Sequence, residues 1–294
     1  MHEEMTLTRF YKIHNKDINL AIERALREDR VFDDITTCSL LKGKSAEKKI
    51  SAMMLCKEDC IVSGLDIFKR VYRQIDPKAY IKFFYNDGDK IRNKQPAGIV
   101  KSSLKNLLTG ERTALNFLQR MSGIATLTNK YVKLLKYKDS HILHTRKTTP
   151  NFRIFEIAAV KTGGGDFHRF SLSSAVMVKD NHIEACGGIE NALKTLKKGR
   201  VKPDRLEVEV KDMKELETVL KHGKGLVKIV MLDNFSETYV NKAVKILKKN
   251  GFMIEISGGI NEKNFMKKQK KGIDYYSIGA LTHSYKSVDF SLEF

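Results

Sequence analysis

Residues 206–259 read LEVEVKDMKELETVLKHGKGLVKIVMLDNFSETYVNKAVKILKKNGFMIEISGG, in which three short apolar runs alternate with two amphipathic stretches. The apolar runs are typical of strands. The stretches between them carry apolar residues at helical spacing, and glycines mark where each helix would end. Repetition of strand, helix, glycine and strand predicts parallel strands joined by helical crossovers.

The same alternation continues on both sides of this stretch. Three more strand-like runs and two more helical stretches occupy residues 142–148, 175–181, 275–281, 188–199 and 261–272. This organisation predicts a parallel α/β barrel, in which the carboxyl ends of all the strands converge on one mouth.

The N-terminal part of the chain has a different pattern. Residues 15–30 place Ile18, Ile22 and Leu26 on one face, which predicts an amphipathic helix with Asn15 as candidate N-cap. Strand-like segments follow at residues 49–55, 60–63 and 79–85, the last before a turn at 86–89. Residues up to about 110 are therefore predicted to form an α+β domain.

A second helical segment precedes the barrel pattern. It runs from Glu111 to Leu135, and Ser122-Gly123 predicts a break or kink within it.

Composition restricts the class of protein. The chain has 294 residues, 41% of them hydrophobic, and can bury a full core. A net charge of +19 and a pI near 9.6 admit nucleic acid, acidic membrane or small anions as partners, although a solvated lysine-rich surface explains most of the charge. Four unevenly spaced cysteines predict reduced thiols in a cytoplasm. We expect neither a signal peptide nor a membrane-spanning segment, which needs roughly 20 apolar residues.

Cationic side chains follow the ends of the predicted strands. Arg146, Lys147, Arg169 and Lys179 lie at or beside such ends, where a cation without an anionic partner would be costly. Surface positions are the alternative, but a pocket for several anionic groups of a ligand fits the pattern better. We therefore expect an anionic substrate at the barrel mouth.

Acids and small residues share that mouth. Glu209 and Asp233 are candidate counter-ions of the cations, or ligands of Mg²⁺ through water that also stabilise a cationic sugar. Two loops with small residues, Ser257-Gly258-Gly259 and Ser277-Ile278-Gly279-Ala280, are either turns or phosphate-binding loops.

Three further features have competing explanations. His168 either hydrogen-bonds the glycine turn at 163–165 or binds a carboxylate, and His182 is expected to support a neighbour rather than to act as a base. Residues 33–37, DDITT, mimic an acidic diphosphate-ribose motif but follow a helix and lack the closing glycine. We do not expect that segment to bind a diphosphate.

Nine segments together resemble quinolinate phosphoribosyltransferases, in the order of that family and over nearly the whole chain. They are REDRVFDDITT (27–37), GERTALNFLQRMSGIAT (110–126), TRKTTP (145–150), GGGDFHR (163–169), KDNHI (179–183), EVEV (207–210), MLDNF (231–235), SGGI (257–260) and IGALTHS (278–284). The resemblance implies an α/β protein with an N-terminal α/β sandwich at 1–115, with 283–294 as a candidate addition. It also implies an incomplete (open) α/β barrel resembling a TIM barrel at 116–282.

The resemblance also implies an activity, namely the reaction of quinolinate and phosphoribosyl pyrophosphate (PRPP) to nicotinate mononucleotide, pyrophosphate and carbon dioxide in NAD synthesis. It implies Mg²⁺, no organic cofactor, and a cytoplasmic homodimer whose pocket receives Arg112 from the partner. Arg112, Arg146, His168 and Arg169 would hold the quinolinate carboxylates, and Lys147 and Lys179 would face the phosphates. Glu209 and Asp233 would serve the ribose and Mg²⁺, while Ser257, Gly258, Gly259, Gly279 and Ala280 would cradle phosphate.

Three residues depart from the family pattern. Asn151 stands in place of a glycine, and asparagine tolerates a left-handed turn, while Ile157 and Asp33 replace a basic residue and a glycine. A related branch linked to molybdenum transport is disfavoured by the intact TRKT and KDNH segments. Nucleic-acid binding is disfavoured because aromatic residues do not interleave with the basic runs.

Overall fold

A computed structural model describes residues 5–199 and 206–294. Its helices are α1 Leu7–Ile13, α2 Asn15–Glu28, α3 Ile35–Leu40, α4 Lys44–Glu47, α5 Leu65–Ile75, α6 Leu104–Lys133, α7 Arg153–Thr162, α8 Asp180–Ala185, α9 Ile189–Lys198, α10 Met213–His222, α11 Glu237–Lys249, α12 Phe265–Lys268 and α13 Ala280–His283. Its strands are β1 Lys49–Cys56, β2 Cys60–Ile61, β3 Tyr80–Phe83, β4 Lys90–Ile91, β5 Pro96–Ser103, β6 His141–Leu143, β7 Met177–Val178, β8 Glu207–Val210, β9 Ile229–Asp233, β10 Met253–Ser257, β11 Tyr275–Ser277 and β12 Phe290–Glu293. Within these residues, no helix has both the length and the apolar content required to cross a membrane.

The chain divides into two compact units. The first contains residues 1–130, 148–165 and 281–294, and the second contains residues 131–147 and 166–280. The boundary predicted at residue 115 falls inside α6, and the division into 1–115 and 116–282 stays a prediction.

The first unit is built on an antiparallel sheet of four strands in the order β12-β1-β5-β3. Helix α2 buries the predicted apolar face, Ile18, Ile22 and Leu26, and contacts α5. The last strand, β12, pairs with β1, so the C-terminal residues complete this sheet. The predicted helix and strands of the N-terminal part are confirmed.

The second unit contains a parallel sheet of six strands in the order β6-β11-β10-β9-β8-β7. All six coincide with the predicted apolar runs. Because β6 and β7 lie at the two edges and are not paired with each other in the described residues, the barrel is open. The predicted α/β fold class, an N-terminal domain with an open barrel, is confirmed. The register places Ser257 beside Asp233 on adjacent strands, so residues from β9 and β10 meet at the carboxyl edge.

Three local predictions are wrong. Asn15 is the first residue of α2 and not its N-cap, because the chain turns from α1 into α2 through His14, and the Asn15 side chain instead accepts a hydrogen bond from Arg70. The predicted break at Ser122-Gly123 is absent, because helix α6 continues through both residues, while the alternative of a kink there stays a prediction. Gly123 is needed for close packing, since a Cβ there would lie 2.2 Å from the carbonyl oxygen of Lys286.

The third concerns the helix predicted at 261–272, of which only α12 forms. The Asn261 side chain accepts hydrogen bonds from the backbone N–H groups of Lys263 and Asn264. Such local bonds compete with the helical ladder, so a turn replaces the start of the helix.

Candidate active site

Two guanidinium groups lie close together in the second unit. Arg146 follows β6, and its Nε is buried without a hydrogen-bond partner in the described residues. Burial, followed by the charge of Arg146, lowers the pKa of the Arg169 guanidinium. An anionic ligand would stabilise two partly buried cations in this arrangement, and the anionic substrate expected from the sequence stays a prediction.

Lys179 and Glu209 form an ion pair across the ends of β7 and β8. The Lys179 Nζ donates to Glu209 Oε2 at 2.6 Å. The backbone N–H of Lys179 donates to His182 Nδ1 at 3.0 Å, so His182 fixes the start of α8 and supports Lys179, as expected. Glu209 thus has the counter-ion role that was one of its two predicted roles.

His168 is the centre of a buried charged cluster. Its Nε2 lies 3.1 Å from Glu207 Oε2 and 3.4 Å from Glu255 Oε2, and the two glutamates are 4% and 0% exposed. Its backbone N–H donates to His144 Nε2 at 2.9 Å. The imidazole therefore bonds to acids and not to the glycine turn, which was one of the alternatives for this residue.

The charges of this cluster shift two pKa values. Burial alone would lower the pKa of His168, but Glu207 and Glu255 outweigh it and raise the pKa to about 10. Burial, followed by repulsion from Glu255, raises the pKa of Glu207 to about 7, while His168 and Arg169 act to lower it. The three side chains bring ligand atoms within 4.8 Å of one another, which is close enough for a metal ion. The nearby cations His168 and Arg169 offset part of the charge of the two acids.

Sequence reasoning missed Glu207 and Glu255. A signal for them exists, because each is an acid inside an apolar run that was predicted to be a strand. A buried strand of a parallel sheet is nearly all apolar, so an acid within it needs a specific partner.

The loop after β10, one of the two candidate phosphate loops, has Gly258 and Gly259 in left-handed backbone conformations. Gly258 has φ +90°, and a Cβ there would lie 2.4 Å from Asn234 Oδ1. The carbonyl oxygens of Gly258 and Gly259 accept from Lys268 Nζ at 2.9 Å and from Asn264 Nδ2 at 2.7 Å. Because the C=O and N–H of a trans peptide point in opposite directions, the N–H groups of these peptides are directed away from those side chains.

The other predicted site residues lie at or after the ends of strands in the second unit, except Arg112, which lies on α6. Asp233 ends β9 and its Oδ2 accepts from Asn234 Nδ2 at 3.0 Å, while Gly279 and Ala280 lie at the start of α13, after β11. Lys147 follows Arg146 and is exposed. Arg112 lies exposed on α6 in the first unit, and its entry into a partner's pocket stays a prediction. Asn151 has φ 65°, so the left-handed turn expected there is confirmed.

Comparison with known proteins identifies the family. The family model of the quinolinate phosphoribosyl transferase N-terminal domain matches residues 34–122. The family model of the C-terminal domain matches residues 124–293. A probable nicotinate-nucleotide pyrophosphorylase (carboxylating) of Methanocaldococcus jannaschii is 40% identical over 288 residues, which is 95% of this chain and 98% of that one. The chain belongs to the quinolinate phosphoribosyltransferase family.

Other members of the quinolinate phosphoribosyltransferase family are similar along the same length. Quinolinate phosphoribosyltransferase (decarboxylating) 2, mitochondrial, of Nicotiana glauca is 35% identical and covers 94% of this chain and 82% of its own. The crystal structure of NadC from Streptococcus pyogenes has a TM-score of 0.87 and 36% identity, covering 94% of this chain and 95% of that chain. The resemblance seen in the motifs is confirmed.

Proposed function

We propose that this protein is a pentosyltransferase that transfers the phosphoribosyl group of PRPP to quinolinate, giving nicotinate mononucleotide, pyrophosphate and carbon dioxide for NAD synthesis. The observation that carries the proposal is the pair of guanidinium groups of Arg146 and Arg169, next to the mostly buried His168, in a member of this family. Quinolinate has two carboxylates, and guanidinium groups bind carboxylates with two parallel hydrogen bonds. The names of the relatives support the same reaction.

Binding uses the charges of both substrates. Arg146, His168 and Arg169, with Arg112 from the partner of a homodimer, hold the quinolinate carboxylates. Lys147 and Lys179 face the phosphates of PRPP. The small residues of the two loops, Ser257, Gly258, Gly259, Gly279 and Ala280, let backbone N–H groups reach phosphate oxygens.

In the transfer step, the quinolinate ring nitrogen forms a bond to the anomeric carbon of the ribose as the bond from that carbon to pyrophosphate breaks. Glu209 and Asp233 stabilise the positive charge that develops on the sugar. The ring nitrogen then carries a fixed positive charge, so the ring accepts the electrons of the carbon–carbon bond when carbon dioxide leaves. A proton replaces carbon dioxide on that carbon, and no organic cofactor is needed.

Magnesium fits the acidic residues of this mouth. Glu209 and Asp233 lie on adjacent strands and offer carboxylate oxygens, which are the donors that Mg²⁺ prefers, here through water. When bound, Mg²⁺ neutralises charge on the departing pyrophosphate. The homodimer, the Mg²⁺ ion and a cytoplasmic location are parts of the proposal. The molybdenum-linked branch and nucleic-acid binding are not favoured, because the relatives carry the names of the quinolinate enzyme.

The test is a turnover assay with purified protein, quinolinate, PRPP and Mg²⁺, in which nicotinate mononucleotide and carbon dioxide are measured together. We expect equal amounts of both products. Lys179→Met should abolish them, whereas Lys211→Met, which removes a lysine paired with Glu215 on the surface, should not. Folded wild-type protein that forms neither product would exclude quinolinate as the acceptor.

A further inference from the structure

Glu207 and Glu255 are buried acids that the proposed reaction does not use. Glu207 lies on β8 and Glu255 on β10, and their exposed fractions are 4% and 0%. Removing a carboxylate from water costs several kcal/mol unless partners compensate it. Two such groups beside one imidazole therefore require an explanation.

Both acids act on one ring nitrogen. Nε2 of His168 lies 3.1 Å from Glu207 Oε2 and 3.4 Å from Glu255 Oε2. The backbone N–H of the same residue donates to His144 Nε2, and His144 Nδ1 lies 3.2 Å from the carbonyl oxygen of Thr145. The main chain and the ring of His168 are thus held from two sides.

The acids are poorly suited to stabilising the fold by themselves. Oε1 of Glu207 and both carboxylate oxygens of Glu255 are buried without hydrogen-bond partners in the described residues, so Glu255 contacts His168 only as an ion pair. A half-bonded buried polar group costs stability, and apolar side chains would fill the same space at lower cost. What the carboxylates provide is a fixed orientation of the His168 ring.

We infer that Glu207 and Glu255 are positioning residues, which hold His168 through Nε2 so that Nδ1 is presented to a quinolinate carboxylate. The inference rests on the proposed function and deepens it, because it assigns part of the selectivity for the dicarboxylate substrate to two side chains that do not touch it. PRPP, which the lysines and loops hold, should be affected little.

Kinetics of isosteric variants separate this role from a structural one. Glu255→Gln and Glu207→Gln keep the volume but weaken the hold on Nε2, and we expect the KM for quinolinate to rise roughly tenfold to hundredfold. The KM for PRPP should change much less. Because both acids act through one ring, the double variant should cost less than the product of the two single effects.

The matched control is Glu156→Gln, since Glu156 is an equally buried acid that bonds to Arg120 and Thr149 in the first unit. It should lower the melting temperature without changing the ratio of the two KM values. Gln variants of Glu207 or Glu255 that lower only the melting temperature and leave that ratio unchanged overturn the inference. If Glu255→Gln does not fold, Glu207→Gln decides the question alone.

A spectroscopic measurement tests the positioning without turnover. In protein with ¹⁵N-labelled histidine, the resonances of His168, assigned by their loss in His168→Gln, should shift in both glutamate variants and stay unchanged in Glu156→Gln. Unchanged resonances in all three overturn the inference. Lack of wild-type product with the expected shifts would instead contradict the proposed function and leave the positioning by Glu207 and Glu255 intact.

Discussion

Buried acids are bonded to different degrees in the two units. In the first, fully buried Glu156 accepts from Arg120 Nε at 3.1 Å and from the backbone N–H of Thr149 at 3.1 Å, so both of its oxygens are used. In the second, Oε1 of Glu207 and both oxygens of Glu255 have no hydrogen-bond partner in the described residues. A fully bonded acid supports its fold, whereas incompletely bonded acids cost stability and indicate a functional requirement.

The largest effect should come from breaking the fully bonded pair. Arg120→Met leaves Glu156 buried without its cation, and removal of one partner of a buried pair costs about 3 to 5 kcal/mol of unfolding free energy. Glu255→Gln removes one of two neighbouring acids, and its cost should be about 1 kcal/mol or less because like-charge repulsion is relieved. Urea unfolding of both variants at neutral pH measures the difference. If Glu255→Gln lost more unfolding free energy than Arg120→Met, the comparison between the two units would be reversed.

Asp87 is an exception within the first unit. Its Oδ1 accepts from the Leu65 N–H at 3.0 Å, yet burial outweighs this bond and raises the pKa of Asp87 to about 6. The folded state then binds this proton more tightly than the unfolded state does. Stability from this group is therefore present at low pH and is lost as the pH rises from the ordinary value of 3.8 to about 6.

Asp87→Asn should remove this dependence, because the amide oxygen still accepts from Leu65 and carries no charge. The unfolding free energy of the wild type, minus that of the variant, should fall by about 2 to 3 kcal/mol across that window and stay constant above it. Because both proteins contain all the other carboxyl groups, subtracting one curve of unfolding free energy against pH from the other cancels the contributions of those groups. If the difference in unfolding free energy did not change with pH, the pKa of Asp87 would not be raised, and Asp87 would belong with the fully bonded Glu156.

The sequence predicted the second unit more completely than the first. Its six strands follow from a repeated period, which local patterns report well, and the same period is the basis for expecting Arg146, Arg169 and Lys179 at one mouth. The uninterrupted α6 could not be predicted, because Gly123 suggests a break unless one knows that residue 286 packs against it. Glu207 and Glu255 were missed for a similar reason, since the residue that explains them, His168, lies far away in sequence.

Two glycines, one in each unit, exclude a Cβ for different reasons. Gly123 lies in the first unit, and an added Cβ would meet the Lys286 carbonyl oxygen at 2.2 Å, so Gly123→Ala should cost about 1 to 3 kcal/mol of stability. Gly258 lies in the second unit at φ +90°, and its added Cβ would meet Asn234 Oδ1 at 2.4 Å. Gly258→Ala should therefore move Asn234 and reshape the proposed phosphate loop.

Its neighbour Gly259 is the matched control, because its φ is +57° and an added Cβ would have Asn234 Oδ1 no closer than 3.9 Å. Backbone strain alone costs about 1 to 2 kcal/mol in this left-handed region, so both loop variants should lose some stability. The KM for PRPP should rise more in Gly258→Ala than in Gly259→Ala, and it should not change in Gly123→Ala. If Gly258→Ala and Gly259→Ala had equal KM values for PRPP, the position of the Asn234 side chain would not depend on the absence of a Cβ at residue 258. Gly258 would then resemble Gly123 of the first unit, where the missing Cβ allows close packing and has no effect on substrate binding.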